Sequence, residues 1–497
     1  MFYIGFDIGS SSIKASLVDA NTGKAICTLQ EPNEEMQIVS NQTDWAEQDP
    51  EVWWRHICTA SRRLLNENKI KAEDINGIGI AYQMHGLVIV DADGNVIRNS
   101  IIWCDSRAVS IGEQAFSNIS EDRCMGHMLN SPANFTASKL AWVKQYEPEN
   151  YDKIHKFMLP GDFIAYKFSG DFTTTISGLS EGILWDFKNS EPAQMVLEHY
   201  GIDKNLVPQI VETFGVQSKV SDKGAAESGL QKGTPILYRA GDQPNNALSL
   251  NVFEPGEVAT TGGTSGVLYA VTDSLKASEG IKLNNFAHVN HSPEKPRIGK
   301  LLCINGCGIQ YRWLKDLLNL SENSYEVMNS YASQIPIGAD NLQLIPFGNG
   351  AERMFDNRTI GSHISNLNLN THSQGHILRA ALEGIAFSFV YGMEILKKDH
   401  TQINVIRAGN DNLFRSEIFS ETVATLIDQE IEIYNTTGAV GAARAAGKAD
   451  GAFDFGTMVS QNDYVQTFKP NPEKQNYSIA YERWRTTLNT ILKNQKD

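Results

Sequence analysis

Several familiar signatures are missing from this sequence. There is no Walker-type phosphate loop and no His-Glu-x-x-His zinc helix. No apolar run is long enough to span a bilayer, and no basic leader precedes the first strand, so a cytoplasmic protein is expected. Cationic charge is short: 43 Lys and Arg stand against 58 Asp and Glu, a formal net charge of −15. Nucleic acid and anionic membrane both need a cationic face, so neither is expected as a partner. An anionic ligand would have to be met by local dipoles and a divalent cation. Cysteine is sparse too. Cys27, Cys58, Cys104, Cys124, Cys303 and Cys307 are scattered, mostly in apolar contexts, and the step from Cys303 to Cys307 is not a usual zinc spacing. They read as reduced core thiols.

What is present begins with length. At 497 residues the chain exceeds what one core usually supports, and two domains of roughly 230–260 residues are expected. A fresh strand from Pro235 places the division there, giving units 1–234 and 235–497. The chain opens on an apolar strand, Phe2 to Phe6, followed by Asp7, Gly9, Ser10, Ser11, Ser12 and a second strand that carries Lys14, Ala15 and Leu17. Gly9 lets the backbone turn unobstructed, and successive N–H groups there can point at an anion. Three hydroxyls add donors, and Asp7 offers a hard oxygen suited to Mg²⁺. An ordinary hairpin with a polar loop would read the same way from this stretch alone. A second copy changes the balance: Val258 to Ala270 repeats strand, turn and strand around Gly262, Gly263 and Thr264. Two such hairpins in two halves of one chain resemble the actin/sugar-kinase ATPase superfamily. The fold this implies is α/β: two actin-like (ribonuclease H-like) ATPase domains with a central cleft.

Between the hairpins, Asp49 as N-cap and Pro50 as first helical residue start a helix whose buried stripe is Val52, Trp53, Ile57, Ala60, Leu64 and Leu65. The strand from Ile75 to Ala81 ends in Tyr82-Gln83-Met84-His85-Gly86, and a hairpin leads on to Trp103-Cys104-Asp105-Ser106-Arg107. His85 sits just past a strand's C-terminal end, where open α/β sheets bind ligands. A satisfied structural histidine is the alternative. Gln83, His85, Asp105 and Arg107 offer mixed donors and acceptors, with Trp103 as a flat apolar wall, which suits a polyhydroxylated ligand.

These elements (Trp45 to Pro50, Gln83 to Gly86, Trp103 to Arg107), with Thr136 to Val143 and Leu159 to Phe163, resemble the FGGY carbohydrate kinases over nearly the whole chain. The resemblance implies ATP-dependent phosphorylation of a ketopentose, D-xylulose first, to the 5-phosphate. A ketohexose, ribulose, gluconate or glycerol kinase is the near alternative, and an actin-like nucleotide switch without sugar chemistry the distant one. It assigns the catalytic base to Asp242 of Gly241-Asp242, where an N-cap role can coexist. Asp7 and Asp242 become the Mg²⁺ candidates. Gly9, Ser10, Ser11, Ser12, Lys14, Gly262, Gly263 and Thr264 would cradle ATP phosphates, and Gly409 and Asn410 would flank adenosine. Gln83, Met84, His85, Trp103, Asp105 and Gln243 would meet the sugar. Partners are then ATP and a small sugar, and a homodimer is one assembly the sequence allows.

The sequence departs from the family in several places. Gln243 stands where Asn is usual, and Thr173 to Gly182 replaces a segment that is often acidic. Arg407 and Ala408 replace two glycines in the strand and turn from Ile403 to Asn412, which implies an adenine pocket that is tighter or differently shaped. Gly361 to Asn366 is polar where the family has an apolar strand, just past a loop that resembles the family's Gly-Glu-Arg at Glu352-Arg353. Helices are expected at Ser373–Lys398, at the small-residue run from Gly438 to Arg444, and at Tyr477–Lys493.

Overall fold

The computed structural model describes residues 1–320, 324–410 and 412–494. Six strands make the first sheet: Phe2–Ile8 (β1), Ile13–Asp19 (β2), Ala25–Glu31 (β3), Ile75–Tyr82 (β4), Phe214–Lys219 (β5) and Pro235–Gly241 (β6). Their order is β5-β6-β4-β1-β2-β3. The first three form an antiparallel meander, β4 runs parallel to β1, β6 parallel to β4, and β5 closes the edge antiparallel to β6. The second sheet holds Glu257–Gly262 (β7), Gly266–Thr272 (β8), Asn284–Ala287 (β9), Ile298–Ile304 (β10), Val405–Gly409 (β11), Ile431–Tyr434 (β12) and Tyr464–Phe468 (β13). Its order, β9-β10-β8-β7-β11-β12-β13, repeats the plan of the first. A hairpin, two parallel strands and an antiparallel edge recur in the same places. β10 stands where β3 stands, and β9 is an extra edge strand.

β1 shows why the first hairpin opens the fold. It lies between β2 and β4 with Tyr3, Ile4, Phe6 and Ile8 buried, the near-continuous apolar run of a strand covered on both faces. The helices framing the site are Pro50–Glu67 (α1), Thr136–Tyr146 (α2), Ile176–Glu181 (α3), Asp242–Ser249 (α4), Gly308–Leu317 (α5), Tyr325–Ser333 (α6), Gln374–Lys398 (α7) and Gly438–Ala449 (α8). Lys474–Asn494 (α9) comes last. α1 starts as expected: the Asp49 carboxylate accepts the Glu51 N–H at 2.9 Å with Pro50 at the first helical position. It buries Trp53, Trp54, Ile57, Ala60, Leu64 and Leu65 against the first sheet, and losing one such Trp to Ala costs about 3–5 kcal/mol. α8 comes from the far end of the sequence yet packs on β1 and β4 of the first sheet. Gly5 and Gly79 permit this approach, because a Cβ on either would overlap the helix at Ala439 or Ala442. The expected helices at 438–444 and 477–493 lie within α8 and α9, and that at 373–398 is α7 with Ser373 as its N-cap.

The structure differs from the sequence reading in three respects here. The strand from Pro235 does not open a second unit: β6 pairs with β4 inside the first sheet, so a division before residue 235 would cut that sheet. A turn-rich stretch before a new apolar strand looks like a boundary but is the return to a parallel position. Gly361–Ser365 is a strand despite its polarity, paired antiparallel with Gln343–Phe347, with Ser362 and Ile364 exposed on one face and the other positions half-buried. The thiols are not uniformly core groups either, since Cys104 and Cys303 are exposed while Cys124 and Cys307 are buried. Among the described residues no helix is long and apolar enough to cross a membrane.

Candidate active site

The C-terminal ends of β1, β4 and β6 meet at one point. Asp7 pairs in register with Ala81 of β4, and Ala81 with Ala240 of β6, so Asp7 and Asp242 flank the same strand end. After Asp7 the chain turns tightly, with the Gly9 N–H donating to the Ser12 carbonyl at 3.0 Å. Lys14 stands opposite Asp7 in the hairpin and opposes the upward push that burial gives its carboxyl. Gly438 at the start of α8 has no Cβ; one there would overlap Asp7 Oδ2. Asp242 is the first residue of α4, and its carboxyl is pushed up to about 7, chiefly by burial and then by the charge of Asp7. The backbone and side-chain amides of Gln243 pull the other way. An acid near 7 is matched to proton transfer at neutral pH.

Two carboxylates crowded at one strand end, beside a helix start kept open by a glycine, fit a divalent cation with hard oxygen ligands. Among the described residues no cluster of three or more His, Cys, Asp or Glu could hold a metal. Phosphate oxygens and water would have to complete the shell.

The loop after β4 is held from several sides. The Gln83 N–H donates to the Ile8 carbonyl at 2.7 Å, and its side-chain amide donates to Gln48 Oε1 at 3.4 Å. Gln48 in turn donates to the Ser10 carbonyl at 2.7 Å, so one side chain ties the first hairpin to this loop. Met84 lies against Gly241, next to Asp242. His85 takes a left-handed backbone (φ 63°), which costs a non-glycine residue energy unless its surroundings hold it. They do: its N–H donates to Glu181 Oε2 at 3.0 Å, and Lys139 Nζ donates to its carbonyl at 2.8 Å and to that of Ile102 at 2.9 Å. His85 Nδ1 lies 3.0 Å from the Glu181 carbonyl, which can only accept, so Nδ1 carries the proton and Nε2 is left as an acceptor.

Burial first, then the Lys139 charge, lowers the His85 pKa to about 3. With His85 Nε2 accepting from a sugar hydroxyl, as the family resemblance implies, sugar affinity of an Asp242→Asn variant should stay level from pH 8 to pH 5 in calorimetry. A histidine titrating near 6.5 would lose about 30-fold over that range, and such a loss would refute a neutral His85. The same shift has a cost in acid. As pH falls below about 6.5 the unfolded chain binds a proton that the folded chain does not, so this histidine's contribution to stability declines until about pH 3.

Not every expected sugar contact faces the cleft. Trp103 does: it is 53% exposed, with Nε1 3.4 Å from Ser10 Oγ. Asp105 does not. It is fully buried, accepting from the Ala46 N–H at 2.6 Å and paired to the Arg107 guanidinium at 2.7 Å, so it holds the loop instead of a ligand. The sequence hint of mixed donors was real, but Asp105 and Arg107 satisfy each other. Glu181 was missed, although it lies in the Thr173–Gly182 segment. Thr175 caps α3 and delivers Glu181 beneath His85, where burial raises its carboxyl well above the usual range. Gln48 and Lys139 lay within motifs already noted, but no spacing rule points them inward.

The second hairpin docks on α5: the Gly308 and Ile309 N–H groups donate to the carbonyls of Gly263 and Thr264, each at 3.1 Å. Beside it opens a cavity of about 170 Å³ lined by Gly263, Thr264, Ile309, Arg312, Leu413 and Ser416 among others, with Tyr311 stacked on Tyr325 and bonded to Asn329 at 3.0 Å. Its mixed lining of apolar and polar side chains beside a Gly/Thr turn fits a nucleoside with its phosphates on the hairpin. Gly409 ends β11 and Asn410 follows it, with the Asn410 N–H on the Tyr434 carbonyl at 2.8 Å. Asp411 of the expected turn lies outside the described residues. Arg407 does not narrow the cavity. Its guanidinium is held by Glu432, Glu257 and the Asn251 carbonyl at 2.6–2.8 Å, and Ala408 is buried in the sheet.

Residues 2–249 match the model of the FGGY family of carbohydrate kinases, N-terminal domain. The chain belongs to this family. As an FGGY kinase it is 26% identical over 514 residues to a xylulose kinase of Bacillus subtilis (strain 168), covering 99% of each chain. A xylulose kinase structure from Rhodospirillum rubrum superposes with a TM-score of 0.88 at 23% identity over 99% of each chain. A gluconate kinase from Lactobacillus acidophilus does so with 0.86 at 21% identity, covering 99% of this chain and 98% of the other. A xylulose kinase and a gluconate kinase thus share this fold.

Proposed function

We propose that this kinase transfers the γ-phosphoryl group of ATP to the terminal hydroxyl of D-xylulose in the cytoplasm, with Mg²⁺, in two units that divide after Ser249. The observation that carries the reading is Asp242. Its carboxyl, near 7, stands at a strand end between Met84 of the loop that presents His85 and the Asp7 hairpin. A nucleotide switch needs no base aimed at a second substrate. The exposed, unpaired Cys104 and Cys303 fit a reducing compartment.

In this reading Asp242 accepts the proton of the attacking hydroxyl as its oxygen bonds to the γ-phosphorus and the bond to the β-phosphate oxygen breaks, releasing ADP. The two hairpins hold phosphate oxygens through backbone N–H and hydroxyl groups. Bound beside Asp7, Mg²⁺ would neutralise charge on the transferring group. Gln83 and the Nε2 acceptor of His85 read adjacent hydroxyls, with Met84 as an apolar wall. Trp103, exposed with Nε1 3.4 Å from Ser10 Oγ, would offer the sugar a flat apolar wall beside the first hairpin.

The xylulose kinase relatives favour a ketopentose, and a panel tests it. Among ketopentoses, ketohexoses, glycerol and gluconate, D-xylulose should give the highest kcat/KM. A site built to hydrogen-bond specific hydroxyls rejects analogues that leave its buried groups unpaired, by up to about 10⁴-fold. A clear preference for gluconate, glycerol or L-ribulose overturns the substrate and leaves the kinase standing.

A further inference from the structure

The extra strand β9 has no counterpart in the first sheet, and it reaches across to the sugar loop. Its hydrogen bonds on one side are ordinary: Asn284 to Ala287 pair antiparallel with Leu301 to Ile298 of β10, which in turn pairs with β8 of the second hairpin. On the other side it is clasped to the first half of the chain. The Asn285 N–H donates to Asn130 Oδ1 at 2.9 Å, Asn130 Nδ2 donates back to the Asn285 carbonyl, and Asn285 Nδ2 donates to the Leu129 carbonyl at 2.9 Å. The Ala287 N–H donates to Ser180 Oγ at 2.9 Å and its carbonyl accepts from Ser177 Oγ at 3.2 Å, so α3, which carries Glu181, is gripped as well. Asn130, Asn285 and Phe286 are all buried.

Between these fastenings Phe286 meets His85. The two ring centroids are 5.2 Å apart, and Phe135 completes a three-ring cluster at 4.7 Å from His85 and 5.8 Å from Phe286. An imidazole pinned at Nδ1 can still swing about that bond, and two rings packed on it remove the freedom. We propose that Phe286, delivered by β9 from the second half of the chain, is a positioning residue for the sugar loop. It fixes the plane of His85 so that Nε2 is aimed at one hydroxyl, and the reciprocal Asn130–Asn285 clasp fixes Phe286. This rests on the reading of His85 as a sugar contact. A ring that only filled space would give the same burial, but its loss would not act through His85.

A double-mutant cycle on the full-length enzyme separates the two. Phe286→Leu keeps an apolar side chain in place and loses the flat ring; Phe286→Met is the second variant should the first fail to fold. Sugar KM should rise about tenfold with ATP KM and kcat each within about threefold, as misaimed contacts weaken one substrate only. In a His85→Ala background the same change should raise sugar KM no further. An unchanged sugar KM in the Phe286 variant, or losses that add in the double variant, overturns the inference while His85 stands. An unchanged sugar KM in His85→Ala alone overturns both it and the reading of His85 beneath it.

Discussion

Replacing Asp242 by Asn should give a folded protein that binds both substrates and turns over about 10²-fold more slowly or worse, the share of a positioned general base. The amide has nearly the carboxylate's shape at the first position of α4, and its oxygen can still accept from the Gln243 amides. What it cannot do is take a proton from the attacking hydroxyl. Stability provides the control for folding. A carboxyl raised to about 7 from the usual 3.8 binds its proton more tightly in the folded chain, so its contribution is present in acid and lost as pH rises from about 4 through 7. The Asn variant lacks that loss, and its melting temperature relative to the parent should climb between pH 4 and pH 8. Near-normal turnover in a variant of unchanged or higher melting temperature would sink the assignment of Asp242.

Much of this site was legible in the sequence because its parts are local. A strand, a Gly/hydroxyl turn and a second strand are contiguous, and so both hairpins and the strand-end placement of Asp7 and Asp242 could be read without partners. α1 announced itself through Asp49 and Pro50. What escaped depends on pairing across long separations. Glu181 becomes part of the site only because the Thr175 cap turns α3 under a loop 96 residues earlier. Lys139 counts because its ammonium bridges the carbonyls of two separate loops. Asp105 and Arg107 looked like free ligand contacts, and their mutual pairing is visible only once the loop is folded. The substitution of glycine by Arg407 was read as a pocket change for the same reason: Glu257 and Glu432, its partners, lie 150 and 25 residues away. The misplaced division at residue 235 shows a subtler limit. A returning parallel strand and a fresh domain begin with the same residues, and only the pairing of β6 with β4 distinguishes them.

Changing Asp7 to Ala should cut turnover by about 10²-fold and raise the Mg²⁺ concentration needed for half-maximal rate, while sugar affinity holds. Asp7 lies on the hairpin side of the strand ends, against Gly438 and opposite Lys14, with no hydrogen bond to the loop that carries Gln83 and His85. The sugar loop is instead held by Ile8, Gln48, Glu181 and Lys139, all intact in the variant. Loss of one of the two carboxylates at this point leaves Asp242, the phosphates and water as oxygen ligands for the cation, so a higher concentration is needed to occupy the site. Removing its charge also relieves the push on Asp242, which should then titrate below 7. Titrating Mg²⁺ at saturating substrates, with sugar affinity measured by calorimetry, tests both halves at once. If sugar affinity falls while the Mg²⁺ demand stays at the parent's level, the first hairpin serves the sugar and not the phosphates.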